Sequence, residues 1–251
     1  MKNSKILGNV HSIETFGAFD GPGLRYVLFL QGCPLRCKFC HNRDTWSTQT
    51  NKLMSVEEVL EDYNKYRAFY KKGGLTVSGG EATLQLEFLT ELFKEAKKQG
   101  IHTCLDTAAG TFRESRIEEF EELIKYTDLV LLDIKHIDNE QHKWLTGSEN
   151  TNILKFAEFL SKRKIPTILR YVLLPTINSS ETHLKQLRAY IDTLDNFVGI
   201  DILPYHKAGI YKWEKLGFEY ELGHIDVPSQ DLIDFAESIL KKDYKYMKQG
   251  I

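Results

Sequence analysis

Short β-branched runs alternate six times with longer stretches of helical periodicity. That alternation constrains this 251-residue chain more than any other feature. The runs lie at 24–30, 74–78, 102–106, 129–133, 167–174 and 198–203, the last two stopped by Pro175 and Pro204. The helical stretches lie at about 55–70, 85–99, 115–125, 151–162, 180–194 and 229–242. In the first, Ser55 and Glu58 have capping-box spacing, and Val56, Val59, Leu60 and Tyr63 share one face. In the second, Leu89, Leu92, Phe93 and Ala96 form the apolar stripe and Gly100 is the stop signal. Strand followed by helix, repeated, predicts a parallel sheet with right-handed crossovers. Six units fall short of the eight that close a barrel. The expected fold is therefore α/β, a partial, open (β/α)6 barrel with parallel strands. No low-complexity linker interrupts it, so residues 1–251 are read as one domain.

Parallel α/β folds carry their sites at the carboxyl ends of the strands. The chemistry-bearing residues fall there. A cysteine-rich loop, 31–46, follows the first strand, and Gly79-Gly80-Glu81 follows the second. Asp106-Thr107 and Asp133-Ile134-Lys135 follow the third and fourth, Arg170 lies in the fifth, and His206 comes after the sixth.

The cysteine loop reads Cys33-x-x-x-Cys37-x-x-Cys40 and contains three of the four cysteines. Three thiolates so close together suit a cubane iron–sulfur cluster with one iron left open to a small molecule. Structural zinc favours four ligands in two separated pairs, and neighbouring residues such as Cys40 and His41 rarely chelate one metal together. A disulfide framework would scatter more cysteines in pairs. The fourth, Cys104, sits in an apolar strand and reads as a core thiol. A formal charge of -2 with mixed signs argues against a nucleic-acid surface. No apolar run is long enough to span a bilayer or form a signal-peptide core, so the cytoplasm is the expected compartment.

The three-cysteine string, with aromatic Phe39 before its last member, resembles the signature of the radical S-adenosylmethionine (SAM) superfamily. Gly79-Gly80-Glu81 after the second strand is similar to that family's SAM-binding turn. The segments Asp20-Gly21-Pro22-Gly23-Leu24-Arg25 and Cys40-His41-Asn42-Arg43-Asp44-Thr45-Trp46 narrow the resemblance. With Leu132-Asp133-Ile134-Lys135 and Leu203-Pro204-Tyr205-His206 they resemble the glycyl-radical activases, in particular those acting on pyruvate formate-lyase. The resemblance runs nearly from end to end. It implies a [4Fe–4S] cluster on Cys33, Cys37 and Cys40, whose open iron binds SAM. An electron then breaks the sulfonium bond, and the resulting 5′-deoxyadenosyl radical abstracts hydrogen from a partner's glycine. It implies SAM contacts from Phe39, Cys40, His41, Gly79, Gly80, Glu81, Asp133, Ile134, Lys135, Arg170 and His206. Asp106, Thr107, Asp133 and the Leu131 backbone oxygen would hold a monovalent cation. Asp20, Lys135 and Arg170 would act at the reacting centre, Asp20 by meeting the partner's glycine loop. The implied partners are pyruvate formate-lyase and a reduced flavodoxin or ferredoxin, with the chain itself a monomer. One departure is the loop Asp106-Thr107-Ala108-Ala109-Gly110, where the family tends to show Asp-Thr-Asn-Gly.

Blander readings stand beside these. Lys135 and Arg170 could be ordinary ion-pair partners, His206 a core histidine, Asp106-Thr107 a turn cap and Gly79-Gly80 merely a tight turn. Trp213 either covers the mouth or only packs. Rival functions are an activase for another glycyl-radical enzyme, a small-molecule radical SAM enzyme, and a non-catalytic metal-binding module. Relatives in the first group often carry an inserted domain with extra cysteines, for which this chain has only Cys104 to spare. Iron and sulfide content against zinc content separates the last.

Overall fold

The computed structural model describes residues 6–241. Eight strands form one sheet: β1 (Leu7–Gly17), β2 (Arg25–Leu30), β3 (Lys52–Ser55), β4 (Gly74–Gly79), β5 (Thr103–Thr107), β6 (Leu129–Asp133), β7 (Thr167–Leu173) and β8 (Phe197–Pro204). Their order is β3-β1-β2-β4-β5-β6-β7-β8, and the two ends do not pair, so the barrel is open. From β2 through β8 the spatial neighbours are all parallel. These are the six strands expected from the sequence. The antiparallel strands β1 and β3 add an edge that the sequence reading did not foresee.

The helices are α1 (Val56–Lys65), α2 (Leu86–Lys98), α3 (Ile117–Ile124), α4 (Asn139–Thr146), α5 (Thr151–Lys162), α6 (Glu181–Ile191), α7 (Ile210–Lys215) and α8 (Gln230–Leu240). The Ser55–Glu58 capping box forms as expected, its two reciprocal bonds satisfying orphan amides at the start of α1. That helix ends at Lys65 rather than Tyr70, because a separate 3-10 turn occupies Arg67–Phe69. Lys242, the expected end of the last helix, lies outside the described residues.

Alternation along the strands sorts their side chains. Tyr26, Leu28 and Leu30 of β2 and Val130 and Leu132 of β6 join the large core under the helices. Cys104, Leu129 and Leu131 form a small cluster on the other face, within the barrel. Burial pushes the Cys104 thiol up to about 12, so it behaves as the expected core thiol.

Also buried is Arg25, fully out of water. It donates to Thr76 Oγ1, to the Pro22 and Leu75 carbonyl oxygens at 3.0 and 2.9 Å, and meets His102 Nδ1 at 3.2 Å. Thr76 in turn donates to the Asp20 carbonyl at 2.7 Å. The pair fastens the 18–23 loop to the amino-terminal ends of β2, β4 and β5. Arg25→Leu strands several of these acceptors and is expected to cost about 3 kcal/mol or more, read as a lower chemical-denaturation midpoint.

Candidate functional site

The carboxyl ends of the parallel strands enclose a cavity of about 250 Å³ lined by Cys33, Cys37, Cys40, Phe39, Gly79, Gly80, Asp106, Asp133, Lys135 and Arg170, among others. The three thiols are free and face one space. Burial pushes all three thiols above their ordinary value, Cys37 to about 12, so thiolates there need a metal to hold them. Among the described residues, no trio of His, Cys, Asp or Glu side chains closes on a point as a mononuclear metal site does. Three thiols on one cavity match a cubane with one open iron, whereas a structural zinc takes four protein ligands.

Local structure sets the loop around that space. Arg36 N and Lys38 N donate to the Thr146 and Leu145 carbonyls at 2.7 and 2.9 Å, so the open C-terminal end of α4 holds the stretch between the cysteines. Gly32 N donates to Thr45 O, and Glu81 N to Gly32 O, joining the loop to the turn after β4. Gly79 there has φ +125°, a left-handed conformation that glycine tolerates. A Cβ on Gly80 would stand 2.3 Å from Gly32 O and 3.0 Å from Cys33 Cβ. Both glycines are therefore required by geometry, beyond simply making a turn.

A polar network occupies the opposite wall. Arg170 faces Asp133 across β6 and Asp201 across β8 in the strand register. Its Nη1 donates to Asp106 Oδ2 at 3.0 Å and lies 3.9 Å from Asp20 Oδ1. Ser78 Oγ donates to the same Asp106 oxygen at 2.6 Å. Lys135 Nζ lies 3.2 Å from Asp133 Oδ2 and 5.5 Å from the Phe39 ring centroid. Burial favours neutral Lys135, but the Asp133 carboxylate and Cys37 outweigh it and hold the ammonium above its ordinary range. Two buried atoms of this network, Asp106 Oδ1 and Arg170 Nε, have no partner. These are open positions for a ligand's polar groups.

Burial, reinforced by Asp106 and opposed by Arg170, pushes the Asp20 carboxyl up to about 6. Its charge therefore costs stability above pH 6, and that cost vanishes as pH falls below the unfolded value near 3.8. Asp20→Asn is expected to stabilise the apoprotein by about 1–3 kcal/mol at pH 8 and by about zero at pH 3. Denaturant melts across that pH range check the sign.

Some expected residues lie elsewhere. Glu81 was expected to contact SAM, with the turn reaching it through backbone carbonyl and carboxylate; its carboxylate does not line the cavity. The carboxylate is buried away from the cavity, accepting from Thr83 Oγ1 at 2.7 Å, Ala108 N at 3.1 Å and Thr107 Oγ1. It ties the turn after β4 to the loop after β5. The Ile134 side chain is fully buried in the main core. Thr107 lines the cavity, though its hydroxyl already serves Glu81 and the Ala109 amide.

Leu131 and His206 line a second cavity of about 780 Å³, which shares His41, Arg170, Val172 and Leu203 with the first. The 18–23 loop and β8 form its walls. His41 Nε2 meets His206 O at 2.9 Å, and the two imidazoles lie 4.0 Å apart. Burial pulls His41 below its ordinary value, favouring the neutral ring. Sequence reasoning missed Ser78, although its two-residue spacing from Thr76 on β4 puts both on the inner face. Trp213 caps the cysteine loop, donating to Cys40 O at 2.8 Å.

Comparison with known proteins agrees with this geometry. The model of the Radical SAM superfamily matches residues 27–187. A pyruvate formate-lyase-activating enzyme of Staphylococcus epidermidis is 46% identical over 247 residues, covering 96% of this chain and 96% of the relative. One from Staphylococcus aureus is 47% identical over 236 residues, covering 92% and 94%. The crystal structure of a domain of pyruvate-formate lyase-activating enzyme from Bacteroides vulgatus superimposes with a TM-score of 0.57 at 26% identity, over 68% of this chain and 94% of that one. The chain belongs to the radical SAM superfamily and, within it, to the pyruvate formate-lyase-activating enzymes.

Proposed function

We propose that this chain activates pyruvate formate-lyase by removing a hydrogen atom from one of its glycines. The observation that carries this is the convergence of Cys33, Cys37 and Cys40 with the Gly79-Gly80 edge and Asp20 on one cavity. Bound together, a [4Fe–4S] cluster and SAM supply a carbon radical strong enough for that abstraction. The chain's own residues bind, orient and shield. Gly79 and Gly80 bring bare backbone to the ligand's amino end. Phe39 and His41 give it flat surfaces, and Asp133 with Lys135 a paired charge. Arg170 Nε and Asp106 Oδ1 are buried and unpartnered, so they gain most from a polar ligand. Glu81 contributes by fixing the loops after β4 and β5.

A monovalent cation beside Asp106 and Asp133, with Thr107 and the Leu131 carbonyl near it, would satisfy Asp106 Oδ1. Asp106 and Asp133 would supply the chain's carboxylates to it. The partner's glycine loop would enter through the larger cavity, where Asp20 and the 18–23 loop flank the shared wall at Arg170. A reduced flavodoxin or ferredoxin would supply the electron, and one copy of the chain suffices. Among the described residues no helix is long and apolar enough to cross a membrane. A cytoplasmic site of action is part of this reading.

The test is anaerobic incubation of the cluster-loaded protein with SAM, dithionite and pyruvate formate-lyase, followed by electron paramagnetic resonance. A persistent glycyl doublet that needs every component is expected. SAM cleavage without a doublet would move the substrate to another protein, and absence of SAM cleavage would defeat the enzyme reading.

A further inference from the structure

Cys40 differs from the other two cysteines in what surrounds its sulfur. Cys33 and Cys37 meet the backbone amides of Leu35 and of Cys37 itself, and the Lys135 charge acts on Cys37 and Cys40 alike. Cys40 Sγ accepts from the Asn42 amide at 3.4 Å and also from the indole Nε1 of Trp46 at 3.3 Å. Trp46 is buried, and its ring is gripped on several sides. The Arg43 guanidinium stands 3.8 Å from its centroid, with Phe218 on that guanidinium at 3.9 Å. Trp213 meets the indole edge-on at 5.3 Å while donating to the Cys40 carbonyl. Gln31 Nε2 pins the turn that delivers Trp46, donating to Asp44 O at 3.0 Å and Ser47 O at 2.8 Å.

We propose that Trp46 is a positioning residue that raises the reduction potential of the cluster, by donating its indole N–H to the Cys40 sulfur. The physical basis is charge. One-electron reduction puts an extra negative charge on the cluster, spread partly over its thiolate sulfurs. An N–H dipole aimed at one sulfur stabilises the reduced state more than the oxidised one, and the effect is large where water is excluded. A guanidinium on the indole face draws electron density from the ring and makes its N–H a better donor. Trp213 touches the same residue through its carbonyl, so it fixes Cys40 without addressing the sulfur. The inference rests on Cys40 being a cluster ligand.

The experiment is a redox titration of the reconstituted protein, read by electron paramagnetic resonance of the reduced cluster. Trp46→Phe keeps the ring under Arg43 and deletes the donor. At the wild-type midpoint its reduced-to-oxidised ratio is expected to fall at least threefold, a shift of about 28 mV downward by the one-electron constant of ~59 mV per tenfold. Trp213→Phe is expected to stay within that margin. An unmoved W46F midpoint, or equal shifts in both variants, overturns the proposal. Should W46F take up no cluster, wild-type protein with 15N-indole tryptophan decides by pulsed resonance. Coupling of an indole nitrogen to the reduced cluster supports the hydrogen bond, and its absence overturns it. Wild-type protein that takes up no iron would instead defeat the cluster assignment itself.

Discussion

Exchanging Cys37 for alanine is expected to leave the apoprotein folded and strip the reconstituted protein of its iron. SAM cleavage should fall to background. The site has three free thiols on one cavity, and the nearest spare cysteine, Cys104, is sealed in the barrel with Leu129 and Leu131. Nothing can replace the lost ligand. The stability cost should stay near 1 kcal/mol, because only one buried sulfur is removed. Cys104→Ala provides the contrast. It removes a comparable buried sulfur and should lose a similar ~1 kcal/mol, yet keep full iron and activity. Iron and sulfide analysis with denaturant melts reads both. A C37A protein that still cleaves SAM would show that the cysteine loop is not the reacting centre.

Gly80→Ala should be nearly as damaging, by a different route. Its Cβ would press on the Gly32 carbonyl at 2.3 Å, and backbone cannot swing aside as a flexible side chain can. Gly32 is also where Glu81 N and Thr45 O anchor the cysteine loop, so relief of the clash moves Cys33. Overpacking of this kind costs on the order of 1–3 kcal/mol. The larger effect is on the ligand: displacement of both the loop and the turn should abolish SAM binding. Calorimetric titration of SAM into the loaded variant checks this. Wild-type affinity in G80A would mean that the turn after β4 is not part of the ligand site.

The six parallel strands and their helices were legible because each carries its own local signal. Ser55 and Glu58 cap α1 within four residues, and the apolar stripe of α2 repeats within two turns. The cysteine loop was legible for the same reason, as its spacing is contained in eight consecutive residues. The misses have a common cause. β1 is polar and half-exposed, and only pairing with β2 and β3 makes it a strand. Helix α4 did leave a signal, an Asp138 N-cap and a left-handed Gly147 at its end, φ 75°. The apolar content between them is too low to mark a helix by periodicity.

The sequence by itself determined the order of the six strand–helix units, the open α/β class, the ligand trio and the placement of polar residues at strand ends, since these follow from short-range patterns. Only the tertiary structure decided where the polar groups point. Glu81 turns away from the cavity because Thr83, Thr107 and the Ala108 amide offer its carboxylate a full set of donors. Arg25 lies buried under the 18–23 loop, Ser78 and Arg170 share Asp106, and Trp46 reaches the Cys40 sulfur. A buried polar atom must find a partner, and apart from the Trp46 bond, whose partners lie within one loop, those partners are mostly distant in sequence. No local pattern encodes that choice, and packing settles it.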